Sequence, residues 1–176
     1  MRSVLPAAVW LAAALPWHTM AQSDAAKPAP CRGSEHRQFD FWLGRWEVFT
    51  PDGKKAGDNH IKAIDGGCAL IERWQGRGGF SGTSLNSWDA GSRQWRQHWV
   101  DNQGGLLQLA GGREGPAMVL HGREPSATSP GVEVRQRITW TPQPDGSVRQ
   151  HWQRSDDAGV TWSTVFDGRY ERPRAP

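Results

Sequence analysis

After Met20 the chain has no apolar run approaching the roughly 20 residues that a bilayer-crossing helix needs, so no helical membrane segment is expected in the remainder. Cysteine is scarce. Only Cys31 and Cys68 are present, without the Cys-x-x-Cys spacing of a redox pair or a compact thiolate metal site, and no lipid-attachment pattern precedes Cys31, whose neighbours are Ala29-Pro30. Basic residues form no run either: the formal charge of +3 is carried mostly by arginines spread along the chain. A nucleic-acid surface concentrates its cations on one face, so nucleic acid is not an expected partner, although Trp95-Arg96-Gln97-His98-Trp99 interleaves the right residue types.

What is present begins with an address. Met1-Arg2 gives a positive start, Val4 to Leu15 is an apolar run interrupted by Pro6, and Thr19-Met20-Ala21 supplies a small-residue cleavage pattern. Residues 1–21 are read as a signal peptide, residues 22–34 as a flexible tether and residues 35–173 as one domain; an N-terminal anchor helix is the alternative, and its apolar run is too short. The expected location is periplasmic or secreted. An oxidising compartment favours a Cys31–Cys68 disulfide, which would pin the N-terminal segment to the third strand and contribute about 4 kcal/mol in the chain-entropy model.

Alternating apolar and polar residues, broken by turn signals every ~8 to 14 residues, indicate a β-meander and not strands alternating with helices. The expected strands run over about 43–50, 58–65, 67–75, 80–88, 93–101, 105–111, 116–123, 131–141, 146–155 and 160–171, after a short helical turn near 36–42. Pro51-Asp52-Gly53, Gly76-Arg77-Gly78-Gly79, Asp89-Ala90-Gly91, Asn102-Gln103-Gly104, Pro144-Asp145-Gly146 and Asp157-Ala158-Gly159 punctuate them. Neighbouring strands are therefore antiparallel, and closure would remove the two free edges. The fold class is all-β: an up-and-down antiparallel barrel of about ten strands, with a two-sheet sandwich as the alternative.

Phe39-Asp40-Phe41-Trp42-Leu43-Gly44-Arg45-Trp46-Glu47-Val48 runs an aromatic cluster into Gly-x-Trp and then into an alternating strand. Gly44 would let the chain bend into the sheet, and Trp46 would plug one barrel end. This opening resembles that of the calycins (lipocalins, fatty-acid-binding proteins and nitrobindins). Together with the glycine pair of Gly66-Gly67-Cys68-Ala69-Leu70-Ile71-Glu72-Arg73-Trp74 it is similar to an uncharacterised family of secreted, lipocalin-like bacterial proteins. The resemblance implies a calycin barrel and no particular activity. Nitrobindins hold haem through a late histidine; residues 160–170 here contain none, Tyr170 is read as packing, and no cofactor is expected.

Period-2 alternation places Trp95, Gln97, Trp99 and Asp101 on one strand face, Val134, Gln136, Ile138 and Trp140 on another, and Val148, Gln150, Trp152 and Arg154 on a third. Glu72 and Trp74 share a face with Leu70 and Cys68, and Asn86 and Trp88 take the corresponding side of the fourth strand. Faces that mix tryptophan with hydrogen-bonding groups suit a cavity holding a small, partly apolar ligand; a solidly packed lumen is the alternative. Arg154 would orient an anionic or carbonyl-bearing ligand and pair with Asp101 or Glu72 when empty. The competing functions are acid–base catalysis by Asp101, Glu72 or His121, and a scaffold that binds nothing.

Two local patterns have structural readings. Ser155-Asp156-Asp157-Ala158-Gly159-Val160-Thr161-Trp162 matches a single Asp-box hairpin, in which the Asp157 carboxylate accepts backbone N–H groups over Trp162. Arg-Gln-His-Trp occurs at 96–99 and again at 149–152, which could mean a duplicated unit or a paired-histidine metal site. Inward tryptophans would turn His98 and His151 to water, so no metal is expected there.

Overall fold

The computed structural model describes residues 30–126 and 129–174; the expected signal peptide and residues 22–29 of the expected tether lie outside them. Ten strands close into one antiparallel up-and-down barrel: β1 (Gly44–Phe49), β2 (Lys55–Ile64), β3 (Ala69–Gly76), β4 (Ser81–Asp89), β5 (Gln94–Asp101), β6 (Leu106–Glu114), β7 (Ala117–Pro125), β8 (Glu133–Pro142), β9 (Val148–Ser155) and β10 (Ser163–Glu171). Each strand pairs with its neighbours in sequence, and β1 pairs with β10 through Val48 opposite Tyr170, so no edge is left open. The architecture is compatible with a calycin-like fold. No helix among the described residues is long and apolar enough to cross a membrane.

Burial follows the alternation. Along β8, Val134, Gln136, Ile138 and Trp140 are buried while the residues between them are partly exposed, and along β5 Trp95 and Gln97 are buried between exposed Arg96 and His98. Where boundaries differ from expectation, local chemistry decides. β3 starts at Ala69 and not at 67 because Asp65–Gly67 form a 3-10 turn in which Gly66 and Gly67 take φ of 67° and 93°. β10 starts at Ser163 and not at 160 because Asp157 to Trp162 are spent on the preceding hairpin, where Asp157 accepts the Thr161 backbone N–H at 2.8 Å and the Ser155 hydroxyl at 2.7 Å. The Trp162 indole of that hairpin donates to the Gly159 carbonyl at 3.2 Å and lies under the Arg137 guanidinium, 4.3 Å from its carbon.

The short turns Ser34–Arg37 and Asp40–Trp42 fold across one end of the barrel. Phe39 and Trp42 are fully buried there, stacked with centroids 4.8 Å apart, and Trp95 and Trp140 meet Phe39 edge-on at 5.6 and 5.2 Å. Withdrawing side chains of this size from water contributes about 2–3 kcal/mol each. Trp46 completes the plug by donating to the Trp42 carbonyl at 2.8 Å, and the Arg172 guanidinium covers its outer side with its carbon 3.5 Å from the ring centroid. Gly44 has φ of 119°, and Arg172 occupies the space a Cβ would need, so a bare backbone is required where the chain turns into β1. Cys31 is joined to Cys68 across a Cα–Cα distance of 4.9 Å, tying the plug to the start of β3. Residue 34 of the expected tether therefore belongs to a turn, and residue 31 is anchored.

Candidate functional site

The plug seals one end and leaves a cavity of about 290 Å³ opening at the other. That is the lower end of the ~300–1,000 Å³ of small-molecule pockets, so the lumen is not solidly packed. Trp74, Trp99, Trp152 and Phe166 line it, with Trp140 from the side of the plug and with Leu107 and Ile138. Trp74 and Phe166 meet edge-on at 6.0 Å. The exposed turn Arg77–Gly79 and Phe80 reach the rim.

Glu72 is the charged group set deepest in this lining, 5% exposed. Its position follows from alternation on β3, which turns Leu70, Glu72 and Trp74 inward, and from its pairing opposite Ser84 on β4. Asn59 donates to one carboxylate oxygen at 2.6 Å and the Ser84 hydroxyl donates to the other at 2.6 Å. Behind Ser84 the donors continue in one direction: Asn86 Nδ2 donates to Ser84 Oγ at 2.8 Å and Gln97 Nε2 to Asn86 Oδ1 at 2.8 Å. Burial raises the Glu72 carboxyl above the usual glutamate value, and the Ser84 and Asn59 hydrogen bonds offset part of that. Tyr170 closes the network across the β1–β10 seam: Asn59 donates to its hydroxyl at 3.3 Å, and that hydroxyl donates to Gln150 Oε1. Burial, and then the Glu72 charge, push the Tyr170 phenol well above its ordinary value, so it remains a donor.

Of the residues expected at the site, Glu72, Trp74, Gln97, Trp99, Asp101, Trp140, Gln150 and Trp152 line the cavity. Asp101 stands at the mouth with its oxygens already engaged, accepting the Gly105 and Gln103 backbone N–H groups at 2.8 and 2.9 Å and the Trp99 indole N–H at 3.3 Å. The Gly105 bond leads in holding this carboxyl below its usual value, which makes Asp101 a turn cap and a brace for Trp99.

The remaining expected residues lie off the lining, for reasons alternation cannot express. Trp95 faces inward at the plugged end, donating to the Glu35 carbonyl and to Gln38 at 3.2 Å each, and Trp88 stands opposite it on β4. Asn86 is wholly buried within the network behind Glu72. Gln136 is buried behind Trp152, accepting its indole N–H at 2.7 Å and donating to Glu124 at 2.7 Å. Arg154 does not pair with Asp101 or Glu72: its guanidinium grips Asp156 at 2.8 and 2.9 Å, two residues along the chain. Among the proposed acid–base groups His121 is exposed on the outer face of β7, between inward Leu120 and Gly122.

The sequence reading missed Asn59 and Ser84, the two residues that hold Glu72. Both carried a signal: Asn59 alternates with Gly57 and Ile61, and Ser84 stands two residues before Asn86 on the same face. Phe166 and Tyr170 likewise share an inward face with Gly168. Among the described residues no three His, Cys, Asp or Glu side chains cluster as metal ligands, and His98 is exposed while His151 is hydrogen-bonded to Thr164 at 2.9 Å. The chain matches no family model and no curated protein.

Proposed function

We propose that this protein is an exported, calycin-like binding protein that holds a small, partly apolar ligand in its lumen. The observation that carries the reading is the cavity itself: about 290 Å³, open at one end, walled by indoles and phenyl rings and bordered by Glu72, Gln97 and Gln150. Apolar walls supply most of the affinity of such a site, and a few placed polar groups set orientation. The lipocalin-like resemblance of the Gly44-Arg45-Trp46 opening and the Cys31–Cys68 bridge support it, the bridge because disulfides persist in oxidising compartments such as the periplasm or the exterior. Native mass spectrometry of gently extracted protein, with tryptophan-emission titrations against a library of small, partly apolar molecules, tests it. A retained guest or a saturable spectral change is expected; a library without effect on emission would return the barrel to a scaffold.

A further inference from the structure

The cavity surrounds a carboxylate that has no cation. Glu72 makes no ion pair among the described residues; neutral donors from Asn59 and Ser84 engage both of its oxygens. The donor chain from Gln97 through Asn86 and Ser84 converges on it, an arrangement that favours negative charge, yet burying an unpaired carboxylate is costly unless a positive group joins it. The indoles of Trp74, Trp99 and Trp152 line the same cavity as Glu72, and the negative quadrupole of such rings attracts cations. A second carboxylate, Asp101, guards the mouth, and the basic side chain on the lining, Arg77, is exposed on the rim turn. The aromatic walls offer no oxygen cage for a metal ion, and they suit a cation that carries its own apolar surface.

We infer that the ligand is an organic ammonium ion, an amine or quaternary ammonium group with an apolar body, its charge set against Glu72 and its alkyl groups against the indoles. This rests on the binding reading above and names the chemical class of the guest. The ammonium would complete the ion pair that the fold leaves open, and a neutral ligand of the same shape would leave Glu72 buried and uncompensated.

The test compares two water-soluble probes of nearly identical shape, choline and its uncharged isostere 3,3-dimethylbutan-1-ol, by tryptophan-emission titration. The wild-type protein should bind the cation roughly tenfold more tightly, and Glu72→Gln should bring the cation down to the affinity of the isostere. Should the variant fail to fold, the pH dependence of the wild type gives the same answer: acidification that protonates Glu72 should weaken choline and leave the isostere unaffected. The other titrating groups on the lining do not confuse this readout, because hydrogen bonds led by the Gly105 N–H hold Asp101 below the usual carboxylate range and burial holds the Tyr170 phenol well above its ordinary value. Equal affinities in the wild type, a preference that survives in folded Glu72→Gln, or no response to either probe at millimolar concentration each overturns the inference. Saturable binding of the neutral isostere alone would do so while leaving the binding function intact.

Discussion

The six-membered ring of the Trp99 indole occupies the space that a side chain on Gly82 would need, reaching diagonally across the β4–β5 pair, in which Gly82 stands opposite Asp101 and Trp99 opposite Ser84. The same device recurs at Gly168 beneath Phe166, whereas at Gly57 a Cβ would meet the Gln75 backbone carbonyl first and the tip of Trp74 at 2.9 Å. Bare backbone at Gly82 and Gly168 gives these rings room beside the sheet that a Cβ would deny them. Gly82→Ala should therefore push Trp99 into the cavity and destabilise the protein by about 1–3 kcal/mol. Urea denaturation would read the loss and tryptophan emission the displaced ring; an unchanged midpoint and spectrum would refute the packing.

Glu72 makes stability depend on pH in an unusual direction. Burial holds its folded carboxyl above the 4.5 of an ordinary glutamate, so folding takes up a proton between those two values and stability falls as pH rises through that window. Glu72→Gln removes the titrating group. The difference in urea midpoint between wild type and variant, measured from pH 4 upward, should shift against the wild type as pH rises, and a constant difference would show that Glu72 is not desolvated.

Asp157 acts with the opposite sign. Bonds from the Thr161 hydroxyl and backbone, then from Ser155, hold its carboxyl at about 2 against an ordinary 3.8. Its contribution is fully present above 3.8 and is lost as pH falls toward 2. Asp157→Asn should lack that acid limb and bind the same probes as the wild type, because the hairpin lies off the cavity lining. Acid denaturation curves of the two proteins would check this.

Reduction should loosen the plug before it empties the barrel. The Cys31–Cys68 bridge spans 37 residues, and replacing both cysteines by serine should lower stability by about 2–4 kcal/mol. The midpoint of the double variant gives the value directly. A change in near-ultraviolet circular dichroism from Phe39, Trp42 and Trp95 would locate the effect at the plugged end.

Much of this architecture was legible because it depends on near neighbours in the chain. Alternation at 95, 97, 99 and 101, and turn residues such as Gly53 and Gly146 with φ of 80° and 81°, encode strand, hairpin and face through local backbone geometry. The charged centre of the cavity was half visible: alternation turned Glu72 inward, but its partner Asn59 is 13 residues away and Tyr170 lies 111 residues from Asn59.

Sequence by itself determined the inward face of strands such as β5 and β8, since the pleat of a regular strand alternates residue by residue, but not at the register shift in β10, where Val165 and Phe166 both line the cavity. Only the closed barrel decided how far along the axis each one stands. Trp95 and Trp99 share a face of β5, yet one is sealed in the plug and the other borders the cavity, and Arg154 meets Asp156 instead of Glu72. The height of an inward residue depends on the stagger of strands around the whole cylinder and on the turns folded across one end, which no local pattern carries.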